Sequence, residues 1–236
     1  MCFNRRSLIP VCIVLVAFFT ACHPVARYIS DESVLRWEPD ILKFDSLNSV
    51  EFSDASTILV TGSSSVRLWD SIHHDLEGYQ VMQRGYGGAK LSDFNHYADR
   101  IINPQTFKAI VIFVANDISG GENDRTPREV LQLFKSLVNQ IRERNRDTPV
   151  FWIETTPTPS RWHAINEIRM ANSLIKDYCE KNDDLNFIPT YDVYITQSGL
   201  PDSTLFRKDM LHLNRAGYLL WAERITATLE IHKIMP

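Results

Sequence analysis

At 236 residues, with 44% hydrophobic and 11% aromatic side chains, the chain is long enough to bury one sizeable core, and nothing in its composition demands a second. Its net charge of −4 gives nucleic acid no electrostatic footing, and none is expected as a partner. The four cysteines, Cys2, Cys12, Cys22 and Cys179, have no metal-site spacing, and neither a metal nor an organic cofactor is expected.

The first element is an export signal over residues 1–21. Arg5 and Arg6 precede "SLIPVCIVLVAFFTAC", an apolar run too short to span a bilayer comfortably. Its end, "FTAC", resembles the lipobox of bacterial lipoproteins, with Phe19 in place of the usual leucine. That resemblance implies cleavage before Cys22, acylation of Cys22 and a membrane-anchored protein of the bacterial cell envelope. Cleavage removes two arginines and no acid, taking the net charge from −4 to −6, and leaves Cys179 as the one unmodified thiol. A plain signal peptide or an uncleaved anchor is the alternative.

A polar lead-in over residues 22–56 precedes the main domain, 57–236. Five short runs rich in branched or aromatic residues read as buried strands: "TILVT" (57–61), "YQVMQ" (79–83), "AIVIFVA" (109–115), "PVFWIE" (149–154) and "NFIPT" (186–190). Between them, "TPRE" starts a helix with Thr126 as cap, Pro127 in the first turn and Glu129 closing a capping box. Val130, Phe134, Leu137, Val138 and Ile141 share one face of it. A second helix runs through "HAINEIRMANSLIKDYCEK", its stripe including Ile168, Ala171, Ile175, Tyr178 and Cys179, so Cys179 reads as core. The last helix starts at Asn214, a good cap, with Leu220, Trp221, Ile225 and Leu229 facing inward. Strands alternating with helices predict an α/β fold in which a mostly parallel five-stranded sheet is covered on both faces.

Reactive groups in such sheets sit at the carboxyl ends of strands, which singles out four stretches. After the first strand, "GSSS" offers a tight turn and a hydroxyl above the sheet, although serines beside a glycine also cap helices. "RGYGG" after the second holds Gly85, Gly87 and Gly88, whose N–H groups can face a ligand, or which form a plain turn. "VAND" after the third brings Asn116, an amide able to donate to a developing oxyanion. In "DMLHLNRAGY", Asp209 and His212 are three apart, so on one helical or 3₁₀ turn the carboxylate can orient the imidazole; a solvated surface pair is the bland reading.

Taken together, these blocks resemble the SGNH or GDSL-like hydrolases, from about Thr57 to the final helix. The nucleophile block is Gly62-Ser63-Ser64, the glycine block "RGYGG", the amide block "VAND" and the last block Asp209-x-x-His212. "GSSSVRLW", "TPTPSRW" and "LHLNRAGYLLW" look closest to a bacterial subgroup with serine in place of the motif's aspartate. Two positions depart from the pattern: Ser63 stands for aspartate and Val114 for glycine. The resemblance implies a three-layer α/β/α, flavodoxin-like fold and a serine esterase working through an acyl-enzyme. Ser64, His212 and Asp209 would carry the chemistry, and the N–H groups of Ser64 and Gly88 with the Asn116 amide would form the oxyanion hole. The substrate would be a small-molecule, polysaccharide or lipid ester. Arg67, Trp69, Arg161 and Trp162 are candidates for shaping its pocket. The rival from another class is an inactive hydrolase scaffold that binds carbohydrate or a protein partner.

Overall fold

Strand β1 (Thr57–Gly62) is the hinge of the topology, because in the computed structural model, which describes residues 34–236, it pairs in parallel with both of the next two strands. With β2 (Gln80–Gly85), β3 (Ala109–Phe113), β4 (Val150–Ile153) and β5 (Leu185–Ile188) it builds a five-stranded sheet of order β2-β1-β3-β4-β5. Every pairing is parallel. Cys22 and the expected signal lie outside the described residues, and no described helix is long and apolar enough to cross a membrane.

The strands are short and apolar because both faces of the sheet are covered. Leu59, Ile110, Ile112, Val150 and Trp152 enter one buried cluster with residues of α4 (Leu91–Ile101), α5 (Pro127–Arg144) and α6 (Ile165–Cys179). Alternate residues Ile58, Val60, Val111, Phe113 and Phe151 enter the other, with the long last helix α7 (Arg215–Ile231) and the single turns α2 (Ser64–Arg67) and α3 (Ile72–Asp75). The result is the three-layer flavodoxin-like arrangement. The capping box is in place: Thr126 Oγ1 accepts from the N–H of Glu129, and Glu129 accepts from the N–H of Thr126. Cys179 is buried in the first cluster, and burial pushes its thiol up to about 12.

The lead-in is more structured than its polarity suggests. It carries α1 (Glu38–Asn48), which buries Ile41 and Phe44 and ties itself to α4 through Arg100, paired with both Glu38 and Asp45. Before it, Trp37 donates its indole N–H to Asp93 at 3.1 Å and covers Gly87 so closely that a Cβ there would lie 2.2 Å from the ring. The lead-in therefore holds down one of the glycine turns that frame the sheet's carboxyl edge.

Candidate active site

Strand register decides which loops meet. Gly62, at the end of β1, sits opposite Gly85 of β2 and Phe113 of β3, so the segments that follow all three leave the sheet side by side. This is the switch point of the strand order, where the chain runs from β1 to one side and then to the other. Gly62 has φ +144°, and a Cβ on it would lie 1.9 Å from the Phe113 carbonyl oxygen; only glycine lets β1 bend here. Ser63 then donates its N–H to Phe113 O at 2.9 Å, which delivers Ser64 as the first residue of α2.

That turn is held from three sides. Gln83 donates to the carbonyls of Val66 (2.6 Å) and Trp69 (3.2 Å), Tyr218 donates to that of Ser65 (2.8 Å), and Arg207 to that of Leu68 (3.0 Å). Arg207 also donates to Leu213 O at 3.0 Å, coupling the serine turn to the loop before α7. That loop doubles back through a bridge between Phe206 and Leu213, with Met210 at φ +56° between Asp209 and His212.

Across 148 positions of sequence, His212 Nε2 lies 2.9 Å from Ser64 Oγ. Its Nδ1 lies 2.7 Å from Asp209 Oδ2, while Asp209 Oδ1 accepts the N–H groups of Leu211 (3.0 Å) and His212 (2.9 Å). Partial burial works to raise the Asp209 carboxyl, but these three hydrogen bonds and the imidazole prevail and hold it at about 2. Asp209 is thus ionised wherever the protein is folded at moderate pH, and its charge faces the ring nitrogen remote from the serine.

Ser64, His212 and Asn116 line one shallow, open pocket with Phe113, Thr158, Arg161 and Trp221 among their neighbours. The Asn116 amide donates to Ala89 O at 2.9 Å and accepts from Arg161 at 2.6 Å. Gly88, adjacent to Ala89, is exposed and outside the lining residues; a Cβ there would meet nothing within 4 Å. As the opening residue of α2, Ser64 has no preceding helical turn to take its N–H.

The four residues expected to shape the pocket separate. Arg161 lines it, whereas Arg67 and Trp162 do not. Trp69 is fully buried, stacks on Tyr218 at 5.4 Å and donates its indole N–H to Asp75 at 2.7 Å, so the expectation of a substrate contact is corrected to a core role. Its place is taken by Trp221, expected only as core, which packs edge-to-face on Phe113 at 4.6 Å behind the serine. Arg207 escaped the sequence reading altogether, since a lone arginine in a loop gives no sign of which carbonyls it will tie. Val114 points away from this pocket, into the helical cluster beside Ile118 and Val130.

Next to Asn116, Asp117 is 2% exposed; Oδ2 accepts the N–H of Leu91 at 2.9 Å, and Oδ1 has no partner among the described residues. Burial, opposed by the Leu91 bond, pushes the carboxyl from an ordinary 3.8 up to about 6. The folded state therefore holds this proton more tightly than the unfolded chain. The group is neutral in both states below about pH 4, and stability falls as pH rises from there through 6, then levels. Asp117→Asn keeps an acceptor for Leu91; it should stabilise by on the order of 2–3 kcal/mol at pH 8 and by almost nothing at pH 4, read from paired thermal melts.

The model of the GDSL-like lipase/acylhydrolase family matches residues 52–220. The chain belongs to that family. Among solved structures, a candidate platelet activating factor from Streptococcus pneumonia superposes with a TM-score of 0.72 at 19% identity, over 84% of this chain and 95% of that one. A candidate acylhydrolase from Bacteroides fragilis gives 0.67 at 19% identity, over 81% and 96%. A GDSL-like lipase from Bacteroides thetaiotaomicron gives 0.65 at 15%, over 81% and 98%. At these identities the likeness is one of fold. No curated protein matches the chain. Family membership makes the protein a hydrolase of the ester-acting kind.

Proposed function

We propose that this GDSL-like protein is a serine esterase for short acyl groups, acetyl above all, that works through an acyl-enzyme. The observation that carries the reading is the unbroken hydrogen-bonded line from Ser64 Oγ through His212 to Asp209. His212 accepts the serine proton at Nε2 as the oxygen attacks the ester carbonyl, and Asp209 stabilises the imidazolium from the Nδ1 side. The tetrahedral oxygen is met by the N–H of Ser64 and by the Asn116 amide, both at the pocket, whereas Gly88, the third donor that the family resemblance implies, is exposed and outside the pocket lining and would have to turn its N–H inward to join them. His212 then returns its proton to the leaving alkoxide. In the second half, water attacks the acyl-enzyme with His212 again as base.

Acyl length follows from the wall behind the serine. Phe113 and Trp221 are in direct contact, Trp221 is fully buried, and its indole N–H is engaged by Thr156 at 3.0 Å, so a long chain finds no channel inward. The pocket opens to solvent, which leaves room for a bulky alcohol such as a sugar. The lipobox-like Cys22 supports tethering at the cell envelope, where acetylated polysaccharide is a reasonable source of such esters.

A series of p-nitrophenyl esters from acetyl to palmitoyl, together with an acetylated sugar, tests this. kcat/KM is expected to peak at acetyl and to fall at least about tenfold by octanoyl, since a longer chain meets the Phe113–Trp221 wall and displaces the carbonyl from Ser64. A maximum at long acyl chains would overturn the acyl preference. Absence of hydrolysis throughout the series, with no labelling by an active-site-directed phosphonate, would favour the inactive binding scaffold instead.

A further inference from the structure

Arg161 sits in the 3₁₀ turn Pro159–Ala164 that follows β4, and its guanidinium reaches the end of β3. One terminal nitrogen donates to the carbonyl of Ala115 and the other to Oδ1 of Asn116, both at 2.6 Å. Among the described residues no carboxylate forms an ion pair with it; Asp124 and Asp117 act on it only at longer range. A half-buried guanidinium spent on an amide and a backbone carbonyl beside Ser64 and His212 is an expensive arrangement if surface solvation were its only purpose.

From this geometry we infer that Arg161 is a positioning residue for the oxyanion hole, acting through Asn116 rather than on the substrate; the inference rests on the esterase reading above. An asparagine amide can flip by 180°, exchanging its oxygen and nitrogen. Here the flip is forbidden from both ends. Arg161 has only donors, so it demands the Asn116 oxygen, and Ala89 O only accepts, so it demands the Asn116 nitrogen. Flipping would set two oxygens face to face at one end and two N–H groups at the other. With one Nδ2 hydrogen given to Ala89, the second is left for a ligand in the pocket. The charged bond on Oδ1 also draws electron density from the amide and makes that remaining N–H a better donor as charge builds on the carbonyl oxygen. A lysine ammonium could offer charge but not the fork that spans the acceptors of two successive residues.

A double-mutant cycle on p-nitrophenyl acetate hydrolysis tests it, using Arg161→Met, Arg161→Lys, Asn116→Ala and the Arg161→Met/Asn116→Ala pair. Arg161→Met should lower kcat by about 10- to 100-fold with KM changed less than about threefold, and Asn116→Ala by about 100-fold or more. The pair should be no slower than Asn116→Ala alone, because removing the amide removes the route by which Arg161 acts. Arg161→Lys, the gentler change should the methionine variant fail to fold, should keep the melting temperature and still lose about fivefold or more in kcat. Additive losses in the pair, a rise confined to KM, or wild-type kcat in Arg161→Lys would each overturn the inference. An inactive wild-type protein would overturn the esterase reading itself, and the cycle with it; an active wild type with additive losses would overturn only the role of Arg161.

Discussion

Ser64→Ala should lower kcat on an acetyl ester by about 10⁴- to 10⁶-fold and abolish covalent labelling by a phosphonate. The size of the loss comes from what is removed: the alanine leaves His212 with no hydroxyl to deprotonate, so the two-step route through an acyl-enzyme closes and only binding and oxyanion stabilisation remain. The fold should survive, because the Ser64 side chain contributes one hydrogen bond, to His212, at a half-buried position. The neighbouring serines provide the control. Ser63 serves the site through its backbone, whose N–H bonds Phe113 O, and Ser65 through its carbonyl, which accepts from Tyr218. Ser63→Ala and Ser65→Ala should therefore retain activity within about tenfold, measured as initial rates alongside intact-mass detection of the phosphonate adduct. Labelling that persists in Ser64→Ala would place the nucleophile elsewhere.

Asp209→Asn should cost about 10³- to 10⁴-fold in kcat with only a small drop in melting temperature, because the turn keeps its hydrogen bonds and loses only the partly solvated charge. Oδ1 accepts two backbone N–H groups and shapes the turn, while Oδ2 faces His212 Nδ1. An asparagine that keeps its oxygen on the two N–H groups turns its NH₂ toward Nδ1. That nitrogen must then be an acceptor, so the ring proton moves to Nε2, where it points at Ser64 Oγ. The turn stays, but the base is blocked in the wrong tautomer. Activity of Asp209→Asn within tenfold of wild type, with the melt unchanged, would mean that the carboxylate shapes the loop and does nothing more.

The same division between backbone and side chain explains the two departures from the family pattern. At position 63 the family's aspartate is replaced without loss of the strand-to-turn geometry, because the bond that fixes it is Ser63 N–H to Phe113 O. At position 114 a valine is tolerated because the side chain packs with Ile118 and Val130 under the helices, on the far side from Ser64. Asn116 keeps its place through Ala89 and Arg161.

What the sequence by itself determined was whatever is recorded within a turn or a strand. The branched runs marked the five strands, the Thr126–Glu129 capping box marked the start of the longest described helix, and three of the four blocks supplied the side chains that come together, Ser64, Asn116 and His212 with Asp209, while Gly88 of the glycine block lies exposed outside the pocket. Alternation and capping are local, so a few residues suffice to read them. Only the tertiary structure decided the rest. Helix α1 was hidden because two buried side chains, Ile41 and Phe44, make too short a stripe in a polar segment, and it is held by partners on α4 some 55 to 62 positions away. Trp69 and Trp221 are indistinguishable as indoles on apolar faces, and both end fully buried in contact with each other and with Tyr218; only Trp221, packed on Phe113, stands at the pocket wall. Arg161 likewise shows its purpose only where β3 and β4 lie side by side, since a guanidinium takes its meaning from the acceptors that the sheet order places within its reach.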